Sequence, residues 1–191
     1  MAIDDPIAIF QELYARVAER CAEPDAMVLS TVDADGRPSG RNVLLKGVDA
    51  RGFVFYTNLG SRKAAALAAH PVAALTFYWP PDKQVHIEGA VERVSDADAD
   101  AYFATRPRGS QIGAWASAQS QPLTSRAELD ERIRETERRF DGVPVPRPPF
   151  WAGFRVVPES IEFWTRDVAR LHERVRFDRA SGGWLRSLRF P

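Results

Sequence analysis

Residues 27–57 read MVLSTVDADGRPSGRNVLLKGVDARGFVFYT. Three runs in this stretch, Met27 to Val32, Arg41 to Val48 and Phe53 to Thr57, are rich in β-branched, aliphatic and aromatic residues. Such side chains suit a pleated, half-buried surface. Between the runs stand Asp35-Gly36 and Asp49-Ala50-Arg51-Gly52, residue types that tolerate the backbone angles of tight turns. Connections this short join antiparallel neighbours, so the stretch predicts an antiparallel meander.

The flanks extend this pattern. Upstream, Asp5-Pro6 is a cap and first-turn pair, and Ile7, Phe10, Leu13, Tyr14, Val17 and Cys21 follow at helical spacing. They predict an amphipathic helix ending near Glu23-Pro24. Downstream, Ser61 opens a short helix through Ala69 that His70-Pro71 stops, and Val72 to Trp79 and Gln84 to Val94 read as strands around Pro80-Pro81. Ser95 with Asp98, and Ser125 with Glu128, have capping-box spacing and predict helices over Asp96 to Thr105 and Arg126 to Phe140. The polar, Gly-containing stretch between them, Arg106 to Gln121, is assigned to no element. Four prolines make 143–149 a stiff connector, too short to separate domains. Strand-like runs then return at Phe150 to Val157, Ser160 to Trp164, Glu173 to Phe177 and Trp184 to Leu188.

Strands at both ends with helices inserted predict an α+β chain closing one antiparallel barrel. The expected layout over 1–191 is a single domain: an N-terminal helix in 1–23, barrel strands in 24–95, a helical insertion in 96–142 and C-terminal strands in 150–191.

Bulk properties narrow the function. With 26 basic and 26 acidic residues the net charge is zero, so no overall field draws the chain to nucleic acid or an anionic membrane, and any anion site must be local. The lone Cys21, read as a small buried apolar residue, excludes an internal disulfide and a multi-cysteine zinc site. Acidic Asp4 and Asp5 stand where a secretory signal would be basic, and no apolar run nears the roughly 20 residues of a membrane span. A cytoplasmic location is expected. Neither a G-x-G-x-x-G nor a Walker loop occurs, no spacing suggests a metal, and there is no nucleophile elbow.

Three clusters could carry chemistry. Arg41 and Lys46 bracket an apolar strand, with Thr57, Ser61, Arg62 and Lys63 following; a phosphate monoester needs such guanidinium, ammonium and hydroxyl donors. Tyr102, Arg106 and Ser110 recur every fourth residue, beside Arg108 and Gln111, and could form a second phosphate site. Arg170, His172 and Arg174 alternate so as to share one face of a strand, where three cations repel unless an anion joins them. Each cluster also has an ordinary structural explanation as strand-end charges, core aromatics or a helix stop.

Taken in order, Arg41-x-Val-Leu-Leu-Lys46, Phe55-Tyr56-Thr57-Asn58-x-x-Ser61-Arg62-Lys63, the run Arg106 to Ser120, and Phe163-Trp164 followed by Arg170-Leu-His172-x-Arg174 resemble the pyridoxine/pyridoxamine 5′-phosphate oxidase family. The resemblance runs from about Asp5 to Pro191. It implies an FMN-binding split β-barrel that dimerises, with FMN held between subunits. Arg41, Lys46, Tyr56, Thr57, Arg62, Lys63 and Gln84 would hold FMN from one subunit, and Gln119, Ser120, Trp164 and Arg174 from the other. Lys46, Tyr102, Arg106 and Ser110 would grip the phosphate of a small pyridine substrate, with Arg170 and His172 over its ring as the catalytic pair. The implied reaction moves a hydride from the substrate C4′ to the flavin, and oxygen becomes hydrogen peroxide.

Two departures accompany the resemblance. An N-terminal Arg-x-x-Tyr segment common in the family is not seen, which implies weaker closure. The loop before Arg170, usually Gly-containing, reads Thr165-Arg166-Asp167-Val168-Ala169. The resemblance also extends to sister oxidases of the phenazine type and to non-catalytic flavin or pyridoxal-phosphate binders. Joint presence of Lys46, Tyr102, Arg106 and Ser110 points to a phosphorylated substrate, because an uncharged ring leaves those groups nothing to neutralise.

Overall fold

The computed structural model describes residues 5–191, so Asp4 lies outside the described residues. Asp5 caps α1 (Pro6–Ala18), its carboxylate accepting from Ile7 N at 2.9 Å, with Pro6 in the first turn. The helix buries Ile7, Phe10 and Val17 against the sheet, each contributing about 1.5–3 kcal/mol on burial. It ends five residues earlier than the spacing predicts. A turn carries the chain on, with Cys21 N donating to Val17 O, and Cys21 is half-exposed at the edge of the core rather than buried.

The expected meander appears as β1 (Ala26–Val32), β2 (Pro38–Leu44), β3 (Gly47–Asp49) and β4 (Gly52–Asn58). The single run expected over Arg41 to Val48 is divided at Leu45-Lys46, where the chain crosses from one edge of the sheet to the other. After α2 (Arg62–Ala69) come β5 (Val72–Trp79) and β6 (Lys83–Arg93), then α3 (Asp96–Thr105), α4 (Arg108–Ala116) and α5 (Arg126–Arg139). The chain closes with β7 (Trp151–Thr165), β8 (Glu173–Ala180) and β9 (Gly183–Leu188).

Strand order along the sheet is β2-β1-β5-β6-β7-β4-β3, all antiparallel, with β8 and β9 branching from β7. The first and last strands of that path are joined by Leu45 and Lys46, and Lys46 N donates to Val54 O at 2.8 Å. The sheet therefore curls into a split barrel around Phe10, Phe53, Phe55, Phe77, Val156 and Ile161. A smaller cluster of Phe103, Ile112, Phe140, Val145 and Trp151 lies under the inserted helices.

β7 organises the molecule. From Phe154 to Thr165 it pairs with β6 on one edge, while the other edge is shared, Trp151 to Val156 with β4 and Ser160 to Thr165 with β8. Two strands were expected here, broken near Pro158. Instead the ladder shifts register, Glu88 pairing with Ser160 and Gly89 with Pro158, so Glu159 bulges out and the proline's missing N–H is accommodated. Gly89 is needed at this point, because a Cβ there would lie 2.0 Å from Val157 O.

Candidate active site

A cleft of about 450 Å³ opens where β2, β4, α3, α4 and the start of β7 meet. Lys46, Tyr56, Thr57, Lys63, Tyr102, Arg106, Ser110 and Gln119 all line it. Six of these eight come from the two phosphate clusters inferred from the sequence, and Tyr56 and Gln119 from the resemblance, so a single chain brings members of the two clusters together.

One wall is built on the turn between β4 and α2. Ser61 caps α2, its Oγ accepting from Ala64 N at 3.4 Å, which aims the first turn of the helix at Thr57. Lys63, only 9% exposed, donates to Thr57 Oγ1 at 3.1 Å and to Gln119 Oε1 at 3.0 Å. Burial first, and then the nearby Arg41 guanidinium, lower its pKa. Arg41 itself donates to Leu29 O and Thr31 Oγ1 without lining the cleft, and burial followed by Arg62 lowers its pKa as well. Arg62 is exposed, 3.8 Å from Asp33. Among the described residues no carboxylate lies within ion-pair distance of Arg41 or Lys63, which leaves a buried ammonium with a spare donor beside a guanidinium. This donor set fits a phosphate dianion, the group that FMN carries.

The opposite wall carries the second cluster. Tyr102 lies on α3, Arg106 caps its C-terminus and Ser110 lies in the first turn of α4. The Arg106 guanidinium packs over the rings of Trp151 at 4.9 Å and Phe103 at 5.5 Å. Its Nη1 is buried without a hydrogen-bond partner, and burial lowers the group's pKa. An unpaired buried donor costs about 1–3 kcal/mol, a cost that an arriving anion removes. Lys46 stands across the cleft but is engaged, 2.6 Å from Asp25 Oδ2. Arg108 and Gln111 point elsewhere, to the carbonyls of Phe140 and Val143 and of Phe103.

Between the walls Tyr56 lies parallel to Tyr102 at 4.3 Å and to Trp151 at 4.9 Å. Gly153, paired with Tyr56 in register, permits this, since a Cβ there would meet the ring at 2.6 Å. Burial raises the Tyr56 pKa, assisted by Asp98. Trp151, Gly153 and Asp25 went unread in the sequence, and Asn58, quoted there without a role, donates to Ser117 O. Nothing short of the β4–β7 register could have singled out the first two.

The remaining sequence-derived residues lie at the far end of β7, about 40 Å of extended strand away at roughly 3.3 Å per residue. Gln84, Trp164 and Arg174 pair in register across β6, β7 and β8. Gln84 therefore lies beside Trp164 within the chain, while the resemblance groups it with Arg41. Gln119, which the resemblance assigns to the partner subunit, meets Lys63 and Thr57 of its own chain. Arg174 makes a two-point ion pair with the buried Glu162, at 2.8 and 3.1 Å. The strand expected to align Arg170, His172 and Arg174 begins only at Glu173.

Arg170 and His172 instead sit in a loop tied by Asp167, whose Oδ1 accepts from Ala169 N and Leu171 N. This turn leaves Arg170 itself at φ 64°. Ser120, beside Gln119, is the other non-glycine residue with positive φ among the described residues, at 72°. Side chains held in this sparsely populated region concentrate at functional sites. The His172 ring packs on Trp164 at 4.6 Å, and its Nδ1 accepts from Asp167 N, leaving Nε2 as the protonated nitrogen of the neutral ring.

Comparison with known proteins bears on both ends. Residues 13–139 match the family model described as pyridoxamine 5′-phosphate oxidase, and residues 151–191 match the pyridoxine 5′-phosphate oxidase C-terminal dimerisation region. A pyridoxine/pyridoxamine 5′-phosphate oxidase of Myxococcus xanthus (strain DK1622) is 58% identical over 98% of this chain and 92% of its own length. One from Rubrobacter xylanophilus is 60% identical over 95% and 85%. Among solved structures, PhzG from Burkholderia lata 383, in complex with tetrahydrophenazine-1-carboxylic acid, superposes with a TM-score of 0.93 at 31% identity, covering 100% of this chain and 94% of that one. An FMN-binding protein from Nostoc punctiforme shares the fold, with a TM-score of 0.80 at 16% identity and 100% coverage of both chains.

Proposed function

The chain belongs to the pyridoxamine 5′-phosphate oxidase family, and from that premise we propose that it is an FMN-dependent oxidase, working as a homodimer, that converts pyridoxine or pyridoxamine 5′-phosphate to pyridoxal 5′-phosphate. Oxygen is the electron acceptor and hydrogen peroxide the co-product. The observation that carries this reading is the half-buried Arg106, which lines a cleft with Lys46, Tyr102 and Ser110 and whose buried Nη1 has no hydrogen-bond partner. That set suits a phosphate monoester on the substrate, while Lys63, Arg41, Arg62, Thr57 and Gln119, with Ser120 adjoining, suit the phosphate of FMN on the other wall.

Each group then has a defined task. Lys63 and Arg41 neutralise the cofactor phosphate, and Tyr56 lines the space between the two phosphates. Arg106 and Lys46 bind the substrate phosphate, with Tyr102 and Ser110 donating hydroxyls. Bound FMN supplies the redox chemistry, accepting a hydride equivalent and delivering electrons to oxygen. Gln84, Trp164 and Arg174 of a second subunit complete the flavin pocket, and its Arg170 and His172 orient the pyridine ring. The protein's contribution is orientation and positive charge rather than a nucleophile and base.

The PhzG likeness keeps a sister oxidase on the same scaffold as the second reading. The identities of 58–60% to the phosphate oxidases, against 31% to PhzG, favour the first. Purified protein given pyridoxamine 5′-phosphate and oxygen should form peroxide and pyridoxal 5′-phosphate in equal amounts. Flavin-loaded protein that forms neither is a binder, and one that oxidises only unphosphorylated tricyclic substrates is a sister oxidase. A colourless protein that refuses added FMN and stays monomeric would end both readings.

A further inference from the structure

We propose that Arg147 is a positioning residue for the substrate phosphate, acting through the seat of Arg106; this rests on the reading of Arg106 given above. Arg147 lies in the proline-rich connector before β7, and its side chain is 11% exposed. Its Nε donates to Asp100 Oδ1 at 2.6 Å, Nη2 to Asp96 Oδ1 at 3.0 Å and Nη1 to Trp151 O at 2.7 Å. The two carboxylates sit one turn apart on α3, the helix that ends at Arg106. Trp151 is the residue whose ring Arg106 packs over. One guanidinium thus holds both the helix that delivers Arg106 and the platform on which Arg106 rests, without itself lining the cleft.

The rest of the connector supports the clamp. Four prolines restrict its backbone. Trp115 of α4 donates to Pro146 O at 2.7 Å, and Arg108 of the same helix donates to Val143 O at 3.0 Å. By contrast α3 buries only Ala99 and Phe103, a narrow apolar contact that leaves its tilt to be set by the polar clamp at its first turns. The clamp therefore acts on the wall that meets the substrate phosphate, while the Lys63 wall is built on separate elements, β4 and α2.

The test compares phosphate recognition with flavin binding in the FMN-loaded dimer. Arg147→Ala should raise KM for pyridoxamine 5′-phosphate about tenfold, and raise the inhibition constant of inorganic phosphate by a similar factor, with kcat and FMN affinity changed less than about threefold, as expected when a binding group is displaced by a fraction of an ångström. Arg147→Lys should recover part of the loss. Asp100→Asn should shift KM the same way, and the double variant should be no worse than Arg147→Ala alone, because both substitutions open one clamp. Should Arg147→Ala not fold, Asp100→Asn and Arg147→Lys carry the same comparison. Unchanged KM and phosphate inhibition, equal losses of FMN and substrate affinity, or multiplying effects in the double variant would each overturn the proposal. If the wild type makes no peroxide, the oxidase reading fails, and calorimetric titration of pyridoxal 5′-phosphate into wild type and Arg147→Ala still decides the role of Arg147.

Discussion

The two ends of β7 are both rich in arginine, yet three cations around the cleft and two beside Trp164 handle charge in opposite ways. At the Trp151 end, Lys63, Arg41 and Arg106 are buried or half-buried among hydroxyls, amides and rings, with no carboxylate in reach among the described residues. At the Trp164 end, Arg174 is paired with Glu162, and Arg176 with Asp178 and Glu88. Desolvating a cation without a counter-charge is costly, so a chain that leaves Lys63 and Arg106 uncompensated in one cleft, with Arg41 behind Lys63, leaves room for an anion from outside. Arg174 and Arg176 are already compensated within the chain, so they carry no comparable desolvation cost. The family's C-terminal dimerisation region, residues 151–191, takes in the whole of β7 and the paired end beyond it.

The largest expected effect tests whether the two ends serve one site from different chains. Arg106→Ala and His172→Ala homodimers should each lose at least about tenfold in kcat/KM. Co-expressed and randomly mixed, they should recover about a quarter of wild-type sites, because each mixed dimer holds one site free of both substitutions. Peroxide production at low substrate measures this, and no recovery would mean that both ends act within one chain.

Arg106→Ala by itself sharpens the role of the unpaired end. Loss of one charged hydrogen-bonding partner should raise KM for the phosphorylated substrate by about 10–100-fold, corresponding to about 1.5–3 kcal/mol, with kcat nearly unchanged. Steady-state kinetics decide it, and an unchanged apparent affinity rejects the phosphate role.

The smallest effect is a pH slope. Lys63 titrates below the usual lysine value because of burial and Arg41. A bound phosphate dianion favours the ammonium and raises that pKa, so FMN affinity should be level at lower pH and decline as pH rises through the free-protein value. Over the window between the folded and unfolded pKa, the unfolded chain binds more protons than the ligand-free fold, so stability should rise with pH. Flavin titration and thermal unfolding should therefore slope in opposite directions, and Lys63→Met should flatten both.

Much of this was legible in residue order. The Asp5, Ser61, Ser95 and Ser125 caps each make the expected side-chain bond to a backbone N–H, because capping is a local interaction that sequence spacing encodes. The helix α4 was not legible. It has no side-chain cap, starts after Pro107 and carries Gly109 and Gly113, so it rests on long-range bonds such as Gln111 to Phe103 O and Arg108 to Phe140 O. The Arg170–His172 segment alternates like a strand but bends into a turn, because the Asp167 carboxylate collects two backbone N–H groups. Within the site, the cations at Lys63 and Arg106 were readable from chemistry. The neighbours that matter to them, Trp151, Gly153 and Asp25, became visible only once strands were placed side by side.

The extra residue in β7 has an effect on parity. Before Glu159 the even positions Phe154 and Val156 enter the barrel core, and after it the odd positions Ile161 and Phe163 do. The switch keeps Trp151 and Gly153 on the outward face together with Glu162 and Trp164, so the cleft-lining end and the Trp164 end of one strand share a side of the sheet. Shortening the chain by that one residue would turn the distal half inside out, driving an indole and a carboxylate into the hydrophobic interior and the isoleucine into water.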